Sequence, residues 1–456
     1  MMGRQVDQGA LFYEVRLEDR VPAEHLLRRI DAVLDLSFVY EVMTPYYARG
    51  GRPSVDPELL LRMLLVGYLY GVRSERRLCE EVDLNLAFRW FCRLGLDGRV
   101  PDHSTFTKNR HGRFRASGLM RELFERVVEQ CFAIGLADTA VVAVDGTHVT
   151  ANARKDRTVS SDADLPRDGK DATRAVRDYL ADLDGAAPDL PGTVRQTPTA
   201  ISLTDPSSAV STKHGKRVFA YGLNAMIDTA SGVVLDIEAA PARTADEPEA
   251  ARRMVERLRR RHGRTPEILT ADAAYGAGNF LTWAESHDIE PHIPMAEKDG
   301  EEGRFAKKDF VYDDTRDLYV CPDGKLLERS KKMKGTGPEA WSNGLGMSYS
   351  AKVRDCRPCE MKPRCCPKTQ VRRLRRSIFE PARDRARLRA ETPAFARCAK
   401  LRMRVERLFA CIKHNDGLTR VRLRGRRGAG EQFTLAAIVQ NLKIMAKGMI
   451  GTSATA

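Results

Sequence analysis

Between residues 54 and 135 the apolar positions read as a series of helices, and from Thr139 the pattern changes to strands. Asp56-Pro57-Glu58 predicts a helix start, with Asp as cap and Pro at the first helical position. Shorter helices are expected at SERRLCEEV and NLAFRWFCR. HSTFTKNRHGRF then offers Ser104 as a cap before a helix bearing Lys108, Arg110, Arg113 and Arg115. Strands are expected at 139–145, 217–228, 232–241, 265–272 and 289–295. Thr244-x-x-Glu247 reads as a capping box opening a helix to about Arg261, and another helix is expected near 278–286. The order is βββαβαβ. Residues 154–216, rich in Asp, Gly, Pro, Ser and Thr, read as a mobile insertion. A second insertion spans 296–394, with 1–53 as an N-terminal arm and 449–456 as a tail.

Charge sharpens this picture. The 456-residue chain has a net charge of +14, and residues 371–427 alone hold 19 Lys or Arg against 5 Asp or Glu. The rest of the chain is balanced, so the basic excess is one segment, as a polyanion-binding face requires. Leu374, Phe379, Leu388, Leu401 and Ile412 thread that segment, so it should fold rather than trail as a solvated tail. Nucleic acid is the favoured partner. No run approaches 18 uncharged apolar residues and the N-terminus lacks a signal-peptide core, so a cytoplasmic protein with no membrane partner is expected. Several short helices ending in a basic one fit either a DNA reader of helix-turn-helix type or a packed helical domain with a charged face.

Asp145 closes the apolar run TAVVAVD, and Asp272 closes ILTAD in the same way. The carboxyl ends of adjacent parallel strands are where sites form in open sheets. The first and fourth strands are neighbours in a ribonuclease-H-like βββαβαβα order, which expects a final helix bearing a third carboxylate. Residues 395–413 supply it. Phe395, Cys398, Leu401, Val405, Leu408 and Ile412 recur at three- and four-residue steps, and Glu406 lies about 100° round from Val405. Arg402 and Lys413 share the face of Glu406. Together these readings predict an α/β, ribonuclease-H-like catalytic core (136–295 and 395–448) with insertions, preceded by an all-α domain.

Arg402-x3-Glu406-x6-Lys413 resembles the Y-x2-R-x3-E-x6-K signature of DDE-type bacterial insertion-sequence transposases, with Ala399 in place of the Tyr. AVDGTHVTANA resembles the segment around that family's first Asp. ADAAYGAGN resembles the segment around its second, with Ala274 where Gly is often seen. FAYGLNAMID, GLTRVRLRG and AIVQNLKIMAKG are similar as well. The resemblance implies catalytic and metal-binding roles for Asp145, Asp272 and Glu406, with two Mg²⁺ (or Mn²⁺) ions driving DNA cleavage and strand transfer. It implies double-stranded DNA as partner, both the terminal inverted repeats and the target, with Arg402 and Lys413 holding phosphates; Arg420, Arg422 and Arg424 of the basic segment and Lys108 and Arg110 of the basic helix are further expected DNA contacts. A homodimer on DNA in the bacterial nucleoid is expected. Two alternatives share these residues: a catalytically silent DNA-binding derivative, and a nuclease without strand transfer. A phosphatase reading of VDGTH fails, because Ala143 stands where the nucleophilic Asp would be. Cys321, Cys356, Cys359 and Cys365 resemble the zinc-ribbon-like insert of some relatives, but only one CxxC pair is present. The alternatives are a structural Zn²⁺ and ordinary reduced thiols.

Overall fold

The computed structural model describes residues 14–453, apart from 49, 51–53, 171, 185–199, 214, 244–245, 296–302 and 331–345. Its centre is a twisted sheet. Strand β1 (Val141–Thr150) pairs antiparallel with β2 (Lys216–Asp228), which pairs antiparallel with β3 (Val234–Pro241). On its other edge β1 runs parallel to β4 (Ile268–Thr270), and β4 parallel to β5 (Glu290–His292). The spatial order 3-2-1-4-5, with only the last pairings parallel, is ribonuclease-H-like. Ala209–Lys213 adds a short antiparallel strand beside the start of β2. Val142, Ala143 and Val144 are completely buried, as expected for a central strand with layers on both faces.

Helix α1 (Glu247–His262) follows β3, and α2 (Gly278–Ser286) joins β4 to β5. Helix α3 (Pro393–His414) carries Val405, Leu408 and Ile412 onto β1, as the apolar stripe predicts. Helix α4 (Gly425–Ser453) packs on β3 and on the helix Leu119–Ala133. It runs through 449–453, so those residues are not a tail.

Three further expectations need correction. The arm expected at 1–53 is folded where described: residues 17–46 form three short α-helices and a final 3₁₀ turn, and bury Leu27, Ile30, Phe38, Val39 and Met43 in the main core. Ser104 does not cap its helix, which runs His103–Asn109 with Asp102 accepting the Ser104 N–H at 2.8 Å. The stretch 154–216 is folded where described. Helix Arg174–Asp184 and the strand pair Thr158–Val159 with Ile201–Ser202 enclose Leu165, Val176, Leu180 and Ile201. The composition of that stretch concealed a small satellite core.

The second insertion forms a five-stranded antiparallel sheet over Phe310, Tyr319, Leu327, Tyr349 and Leu374. No helix among the described residues is long and apolar enough to cross a membrane.

Candidate active site

β1 does not end at Asp145. It continues to Thr150 because β2 pairs with it over the whole stretch, Asp145 facing Ala225 and Gly146 facing Asn224. What ends near Asp145 is the parallel neighbour. Ala143 lies opposite Thr270, the last residue of β4, and Asp145 and Asp272 are each two residues further on. The two carboxylates therefore leave adjacent parallel strands at the same level. Asp145 is held by the Gly146 N–H at 2.8 Å and Asp272 by the Ala274 N–H at 2.9 Å.

Helix α3 links the third carboxylate to Asp145 through a cation. Arg402 lies 3.4 Å from Asp145 and 3.1 Å from Glu406, which is four residues on along the helix. Lys413 Nζ hydrogen-bonds Thr147 on β1. The R-E-K spacing is thus a local necessity: one face of one helix must reach along one strand. Asp145 is the more buried of the two carboxylates that Arg402 pairs. Burial, with Asp272 beside it, pushes its carboxyl up to about 6.

A fourth carboxylate joins this group, one that sequence reasoning assigned to helix capping. Glu247 is the first residue of α1, whose N-cap is Asp246; the expected cap Thr244 lies outside the described residues. A Cβ on Gly146 would stand 3.0 Å from the Glu247 carboxylate and 3.0 Å from Asn224 Oδ1. Burial, then Asp272 and Asp145, push Glu247 up to about 7. Tyr275 packs edge-on to Phe280, a core role as expected, and is fully buried with an unpartnered hydroxyl. His148 is bonded to Ser211 at 2.7 Å, on the site's periphery.

The basic residues divide into two groups. Arg420, Arg422 and Arg424 are exposed and alternate with buried Val421 and Leu423 in the connection between α3 and α4. That connection lies alongside the end of β1, where the Val421 N–H donates to Thr150 O at 2.8 Å. Lys108 is exposed too. Arg110 is not available to DNA, which corrects the sequence expectation. It is buried, between Glu75 at 3.0 Å and Glu431 at 3.1 Å.

In the insert, Cys321, Cys356, Cys359 and Cys365 line one cavity of about 30 Å³ with Cys366. The Lys325 N–H donates to Cys321 Sγ at 3.3 Å. Burial, with Cys366 alongside, pushes the Cys365 thiol up to about 12. Among the described residues no three His, Cys, Asp or Glu side chains stand in an arrangement that grips an ion as they are, here or at the carboxylates.

Residues 137–442 match the family described as "Transposase DDE domain", two thirds of the chain. The chain belongs to the DDE transposase family. Residues 15–112 match a second family, "Transposase domain (DUF772)", which takes in the helices between 17 and 46. DDE transposases catalyse DNA cleavage and strand transfer, and this chain is a DNA transposase. Solved structures similar to it include the cryo-EM structure of the piggyBac transposase synaptic complex with hairpin DNA. That likeness is 10% in identity, covers 95% of this chain and 75% of that one, and has a TM-score of 0.34. Another is the Mos1 transposase paired-end complex with left transposon end, at 12% identity over 54% of this chain and 60% of that one, TM-score 0.17.

Proposed function

We propose that Asp145, Asp272 and Glu406 are the catalytic carboxylates of an insertion-sequence transposase. It binds the element's terminal inverted repeats, hydrolyses DNA at the element ends and joins the 3′ ends to target DNA. The observation that carries this reading is the in-register departure of Asp145 and Asp272 from neighbouring parallel strands, with Arg402 tying Glu406 to Asp145. The residues fit Mg²⁺ or Mn²⁺: the donors are hard oxygens, the Asp145 carboxyl is held high by burial and by Asp272, and a fully buried hydroxyl nearby has no partner. Bound ions would activate the attacking oxygen and neutralise the leaving one.

The chain's own residues do the rest. Arg402 shields Asp145 from Glu406 in the metal-free protein, and a scissile phosphate would take over its guanidinium. Lys413, anchored at Thr147, holds a second phosphate oxygen. Arg420, Arg422 and Arg424 extend this positive edge along the backbone of the DNA, and Lys108 adds a contact from the helical region. Two element ends must be processed together, which favours a homodimer on double-stranded DNA, acting at the nucleoid in the bacterial cytoplasm. In the insert, Cys321, Cys356, Cys359 and Cys365 would supply four thiolates to one structural Zn²⁺ at the cavity they share.

The test uses duplexes carrying the repeats that bracket the gene. Mg²⁺-dependent 3′-end cleavage followed by joining to a second duplex is expected. Cleavage without joining would make the protein a nuclease, and binding alone a silent derivative. For the insert, elemental analysis of protein purified without a metal-affinity tag should find about one zinc per chain. That zinc should disappear in Cys356→Ser/Cys359→Ser; a zinc content unaffected by the double change leaves the cysteines as ordinary thiols.

A further inference from the structure

Glu247 has no part in the three-carboxylate reading, yet its surroundings set it apart from an ordinary cap. Its side chain is half-buried, and its carboxylate makes no hydrogen bond or ion pair among the described residues. It lies against the backbone of Gly146, the residue after Asp145, where a Cβ would stand only 3.0 Å from the carboxylate. Asn224 Oδ1 stands 3.0 Å from that same point, on a fully buried side chain, and has no donor among the described residues. The fully buried Tyr275 hydroxyl, also without a partner, is within electrostatic reach of Glu247, Asp145 and Asp272. A buried acceptor without a donor is costly, and a buried carboxylate more so. Acceptors gathered round a space kept open by a glycine, with Arg402 committed to the other side of Asp145, are what a divalent cation needs.

We propose that Glu247 is a fourth metal-facing carboxylate, lending an oxygen, with Asn224 Oδ1 beside it, to a divalent cation held at Asp145 and Asp272. The proposal rests on the metal-site reading above. It gives Gly146 a reason to be glycine: the missing side chain leaves room for the cation's ligands. It also separates two tasks, with Arg402 and Glu406 on the α3 side of Asp145 and Glu247 and Asn224 on the α1 side.

Mn²⁺ titration of the full chain by calorimetry at pH 7.5, without DNA, tests it. Asp145→Asn should abolish binding, and Glu247→Gln should weaken it at least about tenfold, with Gly146→Ala behaving similarly. Glu247→Asp, which keeps the charge on a shorter stem, should recover part of the affinity. Metal-free Glu247→Gln should melt no lower than the parent, because a carboxylate repelled by Asp145 and Asp272 has been removed. A residue that merely caps α1 would lower the melting temperature and leave Mn²⁺ affinity alone. Parental affinity in Glu247→Gln, with binding lost in Asp145→Asn, overturns the proposal and leaves the three-carboxylate site standing. Parental affinity in Asp145→Asn overturns both.

Discussion

Asp145→Asn, Asp272→Asn and Glu406→Gln should each slow Mg²⁺-dependent cleavage of the element ends by roughly 10³-fold or more, about 4 kcal/mol in the barrier. Affinity for the uncleaved ends should change only a few-fold, because the exposed arginines lie on a different segment. The same Asn substitution should have an opposite effect on the metal-free fold. The Asp145 carboxyl is raised from its ordinary 3.8 to about 6, chiefly by burial. A raised acid contributes stability that is fully present below its unfolded value near pH 4 and is lost as pH climbs through 6. Metal-free Asp145→Asn should therefore match the parent at pH 4 and exceed it at pH 8, by roughly 1–3 kcal/mol. Near-normal cleavage in any one of the three variants would remove that residue from the site. Denaturant titrations at the two pH values test the stability claim, and a variant weaker than the parent at pH 8 refutes it.

Arg110→Ala should lower folding stability by about 3–5 kcal/mol, because two buried carboxylates lose their shared cation. Glu75 and Glu431 keep only 19% and 9% of their side-chain surface, so water cannot replace the guanidinium. Arg110→Lys should recover only part of the loss, since a single ammonium cannot reproduce a fork that bonds two acids. The salt dependence of DNA binding should stay as it was, whereas Lys108→Ala should reduce it. A fully stable Arg110→Ala that binds DNA poorly would restore the contact the sequence suggested.

The carboxylates and Arg110 show where the sequence is legible. Asp145, Asp272 and Glu406 announce themselves because the chemistry needs carboxylates after apolar runs and on the edge of an apolar helix stripe, patterns one residue string contains. Arg110 does not, because its partners lie 35 and 321 residues away, and a basic helix looks the same whether it faces water or two buried acids. Glu247 was hidden by a local rule that fits it equally well: an acidic residue in the first turn of a helix. Only the packing of α1 over Gly146 distinguishes a cap from a ligand. The satellite core at 165–201 escaped for a compositional reason, four apolar anchors being outnumbered by the turn formers around them.

Helix α4 has a consequence for where the DNA is cut. It buries Phe433, Leu435, Ile438 and Leu442 in the same continuous core that holds Leu61 and Val66 of the helical region and Val142 and Val144 of the sheet. Arg73 and Arg110, both outside the sheet domain, are tied to Gln432 and Glu431 on it. The helix, 29 residues and about 43 Å long, acts as the beam of a caliper. On the proposed reading one jaw takes an end of the element and the other carries the carboxylates, and one continuous core joins the two. The gap between the recognised sequence and the broken bond then becomes a length set by the protein, so inserting base pairs between repeat and terminus should misplace the cut rather than stretch the enzyme.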